Sequence, residues 1–531
     1  MNRKLLLLLA LLFLCGLSSC SSDDGNPGEG EPSETPEQFT KRYNPDQSLY
    51  SKILGQEVKY SVLLPQEYLS GDTEKYGVVF LLHGWGGNQN SWGPSGLNIQ
   101  TIADALVNNG KVRPLIYIMP EGFNSYFCNR YDGRFNYMDM LIEELVPLID
   151  KRFRTTAHRK ERAIAGFSMG GFGALSIASQ HPEIFSVSIG LSPSLNTDEQ
   201  YASLSQDGWN LQWGSIFGGS GQTGASRLTS YYKSQCPLHF FKDKAASSFQ
   251  TIRYYIDCGD DEERLYAGNG ALHSLMREKK IGHEYRVRNG AHTDSYWRES
   301  MKEALPFIEL SFKGESYPQE TLTSFTEEWH STSKTIVAGN SEIELWMPDD
   351  YNSDLTYKVL YYGKGKGNAD LTTKQVALAL DSLMKIKRMI IAGFDAETVI
   401  RNGTSFSDIT EAVEKTISTK SDSDFRLGLA YGSNADYIYN QATGVTPAIN
   451  YFFAEDADIA GFSADNTAKL YYLDITDEGT HYHTMLTLFN RLRDVDAPVQ
   501  YRVRNGTDSP QSAMTGIYSM SYFIGEQLIK K

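Results

Sequence analysis

The chain has 531 residues, 50 of them basic and 65 acidic, for a formal charge of −15. That length exceeds a single hydrophobic core and implies two domains. The acidic balance excludes a nucleic-acid partner, which needs clustered Lys and Arg, and ten histidines without an HExxH or paired CxxC motif indicate no metal or other cofactor.

At the start, Arg3 and Lys4 precede an apolar run from Leu5 to Leu14, then Leu17-Ser18-Ser19-Cys20. A basic start, an apolar segment too short to span a bilayer and small residues read as a secretory signal over residues 1–19. Cys20 after Leu-Ser-Ser resembles the lipobox of bacterial lipoproteins, which implies cleavage before Cys20 and a lipid attached to it; an ordinary signal peptide cut nearby is the alternative. Residues 20–45 read as an acidic, flexible tether rich in Ser, Gly and Pro. An acidic stretch after the cysteine resembles the surface-export signal of Bacteroidetes lipoproteins. The expectation is an exported lipoprotein of the cell envelope, surface-exposed on the outer membrane and held by its lipid. The remaining Cys128, Cys236 and Cys258 are odd in number, so they read as buried small hydrophobes.

Residues 46–314 form the first predicted domain. Tyr60–Pro65, Gly77–Leu82 and Leu115–Pro120 are short apolar runs bounded by turn residues, as buried strands should be. Met138–Arg152 has helical spacing, and Arg162–Ala165 returns to strand. Alternation of this kind predicts an α/β fold, a parallel sheet with helices on both faces. Gly166-Phe167-Ser168-Met169-Gly170-Gly171 then places G-x-S-x-G between a strand and a helix. Such a turn needs glycines to lift the serine oxygen clear of the sheet, and the helix start behind it offers N–H groups to an oxyanion. Ser168 is therefore the candidate nucleophile. His83-Gly84-Trp85-Gly86-Gly87 follows an early strand, where such folds place a second oxyanion donor, so the backbone N–H groups of Trp85 and Met169 are the expected pair. His83 itself reads as structural.

Leu191–Ser248 is a long insertion expected to cap the nucleophile. Its Trp209, Trp213, Phe217, Tyr231, Tyr232, Phe240 and Phe241 either stack on a bound ring or form the cap's own core. Beyond it come a strand at Thr251–Asp257, the run Asp260-Asp261-Glu262-Glu263, a helix from Asn269 to Lys280, a strand at Glu284–Arg288, and His292. The order Ser, acid, His is that of α/β-hydrolases, and His292 past a strand end is the candidate base.

Residues 48 to 312 resemble carbohydrate esterase family 1 and the related feruloyl, acetyl-xylan and enterochelin esterases. The resemblance is carried by Val62-Leu63-Leu64-Pro65, the His83 loop, the Ser168 motif, Asp257-Cys258-Gly259, and Gly290-Ala291-His292 with Tyr296-Trp297. That family writes its acid as Asp in G-x-x-D. Counting from Gly259 puts Glu262 there, with Asp261 the alternative. The resemblance implies an α/β-hydrolase fold and two-step acyl transfer on a polysaccharide or small ester.

Residues 320–531 read as a second, degenerate copy. Glu344–Tyr351 parallels Ser61–Tyr68, Val359–Asn368 parallels the His83 loop, and Tyr501–Gly506 is identical to Tyr285–Gly290. Ser433 sits where the elbow should be, with Tyr431 and Ala435 in place of the flanking glycines, and Thr507-Asp508 replaces Ala291-His292, so this tandem copy is expected to be non-catalytic. The expectation for the whole is a serine esterase that removes feruloyl or acetyl groups from xylan. The rivals are a siderophore-type or short-chain esterase, an acyltransferase, and a glycan-binding surface lipoprotein without activity.

Overall fold

The structure, a computed structural model, describes residues 38–71, 73–320, 330–366, 371–417, 425–443, 448–461 and 468–529. The predicted signal segment, Cys20 and most of the tether lie outside these residues. The tether does not reach residue 45: Phe39 stacks on Phe153 at 5.0 Å and Arg42 pairs with Asp104 at 2.6 Å. The first strand, β1 (Tyr43–Ser51), is already in the sheet, paired antiparallel with β2 (Gln56–Leu63).

Four strands of the first half are wholly buried, as apolar runs covered on both faces must be: β3 (Gly77–Leu82), β4 (Leu115–Pro120), β5 (Arg162–Phe167) and β6 (Val187–Leu191). With β7 (Arg253–Gly259) and β8 (His283–Arg288) they give the order β1-β2-β4-β3-β5-β6-β7-β8, parallel from β4 onward. Helices α1 (Ile99–Asn108), α2 (Met169–Gln180), α3 (Leu265–Glu278) and α4 (Asp294–Lys313) connect or follow these strands. The predicted helix from Met138 to Arg152 is continuous from Tyr137 but widens to a π turn at Leu141–Leu145, just before Pro147. A proline ring clashes with the carbonyl four residues back, and the extra residue in the turn relieves that clash.

The second half contains β9 (Ser331–Ala338), β10 (Ser341–Pro348), β11 (Lys358–Lys364), β12 (Met389–Asp395), β13 (Arg426–Gly432), β14 (Tyr451–Ala457), β15 (Leu470–Thr476) and β16 (Val499–Arg504). Their order, β9-β10-β12-β11-β13-β14-β15-β16, repeats that of the first half, with the same antiparallel pair at the outer edge. Strands β8 and β16 meet antiparallel at Val287 and Val503, the central valines of the identical hexapeptides, so among the described residues one 16-stranded sheet runs through both halves. Helices α5 (Thr373–Lys387) and α7 (Pro510–Ile529) cover one face of the second half, as α1 and α4 cover the first. On the opposite face the apolar core is continuous across the boundary, where α3 packs on α6 (Tyr482–Asp494).

Candidate active site

Ser168 lies between β5 and α2 with φ 56° and ψ −120°, a backbone conformation that non-glycine residues rarely adopt. Its neighbours explain how it is held there. A Cβ on Gly166 would meet the Gly170 carbonyl oxygen at 2.3 Å, and one on Gly170 would meet that of Leu82 at 2.3 Å, so the turn closes only with glycine at both. Met169 opens the helix, where its N–H has no intrahelical acceptor and remains available to an anion.

The structure brings the three predicted side chains into one line. His292 Nε2 is 2.9 Å from Ser168 Oγ, and its Nδ1 is 3.0 Å from Glu262 Oε2. Glu262 is buried, and its Oε1 accepts from the Gly259 N–H at 2.9 Å and from the Ser192 hydroxyl. Ser192 Oγ in turn accepts from Trp297 Nε1 at 2.9 Å, and the Trp297 ring meets the His292 imidazole edge-on at 4.8 Å. The carboxylate therefore has one oxygen fully hydrogen-bonded and the other aimed at the imidazole, which selects the Nδ1–H tautomer and leaves Nε2 to accept a proton. Asp261, the alternative acid, points away and pairs with Arg493 at 3.3 Å. Sequence reasoning missed Ser192, which no motif marks.

His83 is structural. It is buried, with Nδ1 2.8 Å from the Gly84 carbonyl and Nε2 accepting from the Gly122 N–H at 2.8 Å. A carbonyl at Nδ1 and an N–H at Nε2 are matched by the Nδ1–H tautomer, and the ring pins the Trp85 loop to the neighbouring one. That places Trp85, with its N–H, beside the elbow in the same cleft.

Two open clefts flank Ser168 and His292, of about 690 Å³ and 530 Å³. Trp85, Asn88, Ser95 and Trp297 line the first, and Asn196, Trp213, Arg264 and Leu265 the second. Gln212 of the cap stands between them, its amide donating to Tyr126 Oη at 2.5 Å. The cap aromatics are mostly its core: Trp209, Phe217, Tyr232 and Phe241 are fully buried, and only Trp213 also reaches a cleft. Cys128, Cys236 and Cys258 are buried free thiols, and burial raises the pKa of each.

In the second half the strand register corrects one assignment. Leu82 pairs with Gly166 in the first half as Gly363 pairs with Ala430 in the second. The position of Ser168 is then taken by Gly432, not Ser433. Gly432 has φ 67°, and its carbonyl accepts from the Asp458 N–H as that of Ser168 accepts from Ser194. Ser433 lies one residue on, its hydroxyl accepting from the Lys366 N–H at 3.0 Å. By the same register Glu262 corresponds to Gly479 and His292 to Asp508, whose carboxylate binds Thr480. The relay is absent at all three positions. His481 is held by Asp456.

Residues 51–308 match the Esterase family, described as "Putative esterase". Among curated proteins, an endo-1,4-beta-xylanase/feruloyl esterase of Xylanibacter ruminicola is 38% identical over 147 residues, 26% of this chain. The chain spans 20% of that relative's length. An acetyl esterase of Caldicellulosiruptor saccharolyticus is 22% identical over 274 residues, 49% of this chain and 96% of its own. A solved ferulic acid esterase, 24% identical, aligns with 51% of this chain and 99% of its own with a TM-score of 0.43. The first half of the chain, residues 51–308, is thus similar to this esterase family and has the α/β-hydrolase fold.

Proposed function

We propose that the protein is a serine carboxylic ester hydrolase acting on feruloyl or acetyl esters of plant polysaccharide, with chemistry confined to the first half. The observation that carries this reading is the unbroken line from Ser168 Oγ through His292 to Glu262. In the first step His292 Nε2 takes the hydroxyl proton as Oγ attacks the ester carbonyl carbon, while Nδ1–H donates to Glu262. The oxyanion rests on the N–H groups of Trp85 and Met169, each contributing roughly 3 kcal/mol. The intermediate collapses by breaking the C–O bond to the alcohol, which leaves with the proton from Nε2. Water then gives a proton to Nε2 and attacks the acyl carbon; the carboxylic acid departs and Oγ regains its hydrogen.

Support for the substrate class comes from the clefts, which are polar and open enough to seat an acyl group on one side of Ser168 and sugar on the other. The names of the xylanase-linked and acetyl esterase relatives point the same way. Incubation with feruloylated and acetylated xylan tests this: ferulate or acetate should be released, whereas activity only on free short-chain esters would contradict the polysaccharide reading. Adding an alcohol acceptor separates hydrolysis from acyl transfer, with free acid the expected product. The lipidated, outer-membrane location is likewise proposed, from the Cys20 motif; Cys20→Ser should move the protein from the membrane fraction to the soluble one.

A further inference from the structure

Asp260 sits two residues before Glu262 and is buried where the two halves meet. Its Oδ1 accepts from the Gly290 N–H at 3.1 Å, two residues before His292. Its Oδ2 accepts from the Tyr501 N–H at 3.0 Å and from the Arg502 guanidinium at 2.6 Å, both on β16 of the second half. One side chain thus joins the loop of the acid, the loop of the base and the opposite half. The two loops are also bonded to each other, through Asp260 N–H to the Arg288 carbonyl and Asp261 N–H to that of Gly290. They must therefore shift together.

Asp477 repeats the arrangement in the other direction. Its Oδ1 accepts from the Gly506 N–H at 3.0 Å, and its Oδ2 from the Tyr285 N–H at 3.4 Å and from Arg286 at 3.2 Å. The loops it holds end in Gly479 and Asp508, at positions that carry no relay. The two cross-half tethers therefore differ in reach: Asp260 bonds the loops of Glu262 and His292 themselves, whereas Asp477 meets the first half at Tyr285 and Arg286 on β8, short of those loops.

We propose that the second half is a positioning partner for the first, and that Asp260, held by Arg502, is the residue through which it fixes Glu262 and His292. This rests on the serine-hydrolase reading above. Without its guanidinium partner a buried carboxylate loses the charge that compensates it, so the loops it joins lose their fixed anchor. The hydrogen bonds on either side of the imidazole tolerate little movement, and a misplacement of about 1 Å costs on the order of 100-fold in rate.

The test uses the full chain and the rate of Ser168 labelling by a fluorophosphonate probe, which requires the relay but no particular acyl substrate. Asp260→Asn and Asp477→Asn are near-isosteric changes that break equivalent bonds across the same boundary. Asp260→Asn should slow labelling by about tenfold or more, and Asp477→Asn should stay within about twofold of wild type. Arg502→Met should slow labelling from the other side of the boundary, and Arg502→Lys should restore most of the loss. Equal slowing by both aspartate variants, or by neither, would overturn the proposal. A wild-type protein that does not label would instead overturn the serine-hydrolase reading beneath it.

Discussion

Glu262 commits one oxygen to the backbone and Ser192 and the other to His292. Glu262→Gln replaces an acceptor by a donor at the imidazole and favours the wrong tautomer, so kcat should fall by about 10³- to 10⁴-fold with the fold intact. Asp261→Asn removes only a part-exposed ion pair with Arg493 and should leave kcat within about twofold. Steady-state kinetics of the two variants side by side check both outcomes. Ser168, His292 and Glu262 were legible because each stands at a strand end with a local motif or count around it. Ser192 and Asp260 were not. Asp260 acts through Arg502, 242 positions along the chain, and nothing in a run of four carboxylates says which will meet a guanidinium that distant.

Among the elements, β3 and β4 were readable to the residue as apolar runs bounded by turn residues, and the strand predicted at Thr251–Asp257 runs two residues later, whereas the buried strand β6 was not picked out. The start of the first domain was not readable: the polar composition before Tyr43 hid Phe39, which stacks on Phe153, and Arg42, which binds Asp104 and the Leu64 carbonyl. In the cap, Trp209 is fully buried and its indole N–H donates to the Gly218 carbonyl at 3.0 Å. Trp209→Ala should cost about 3–5 kcal/mol, and Leu211→Ala, on a side chain 77% exposed, less than about 0.5 kcal/mol, in urea unfolding. Where α3 meets α6, buried His273 bonds to His283 at 2.7 Å and lies against Tyr285 and Tyr482. Burial lowers the pKa of both, that of His283 to about 4 from an unperturbed 6.5. The unfolded chain therefore takes up protons that the folded one refuses. Their contribution is complete above pH 6.5 and declines as pH falls toward 4. The thermal midpoint should drop over that window, and His283→Gln should flatten the drop.

For the whole molecule, the repeat was legible from the identical hexapeptides and the Pro348 segment, and the loss of the base from Asp508. What replaced the nucleophile was not, because Ser433 adjoins a glycine in the sequence while only the strand register shows that Gly432 occupies the elbow. Nor could the joining of the two sheets at Val287 and Val503 be read, since an edge strand carries no mark of its partner. The central claim is that ester hydrolysis resides in the first half alone. It is tested most directly by measuring hydrolysis of methyl ferulate and p-nitrophenyl acetate by wild type, Ser168→Ala and Ser433→Ala. The account predicts that Ser168→Ala loses activity on both esters while Ser433→Ala retains it. Full activity in Ser168→Ala would contradict it.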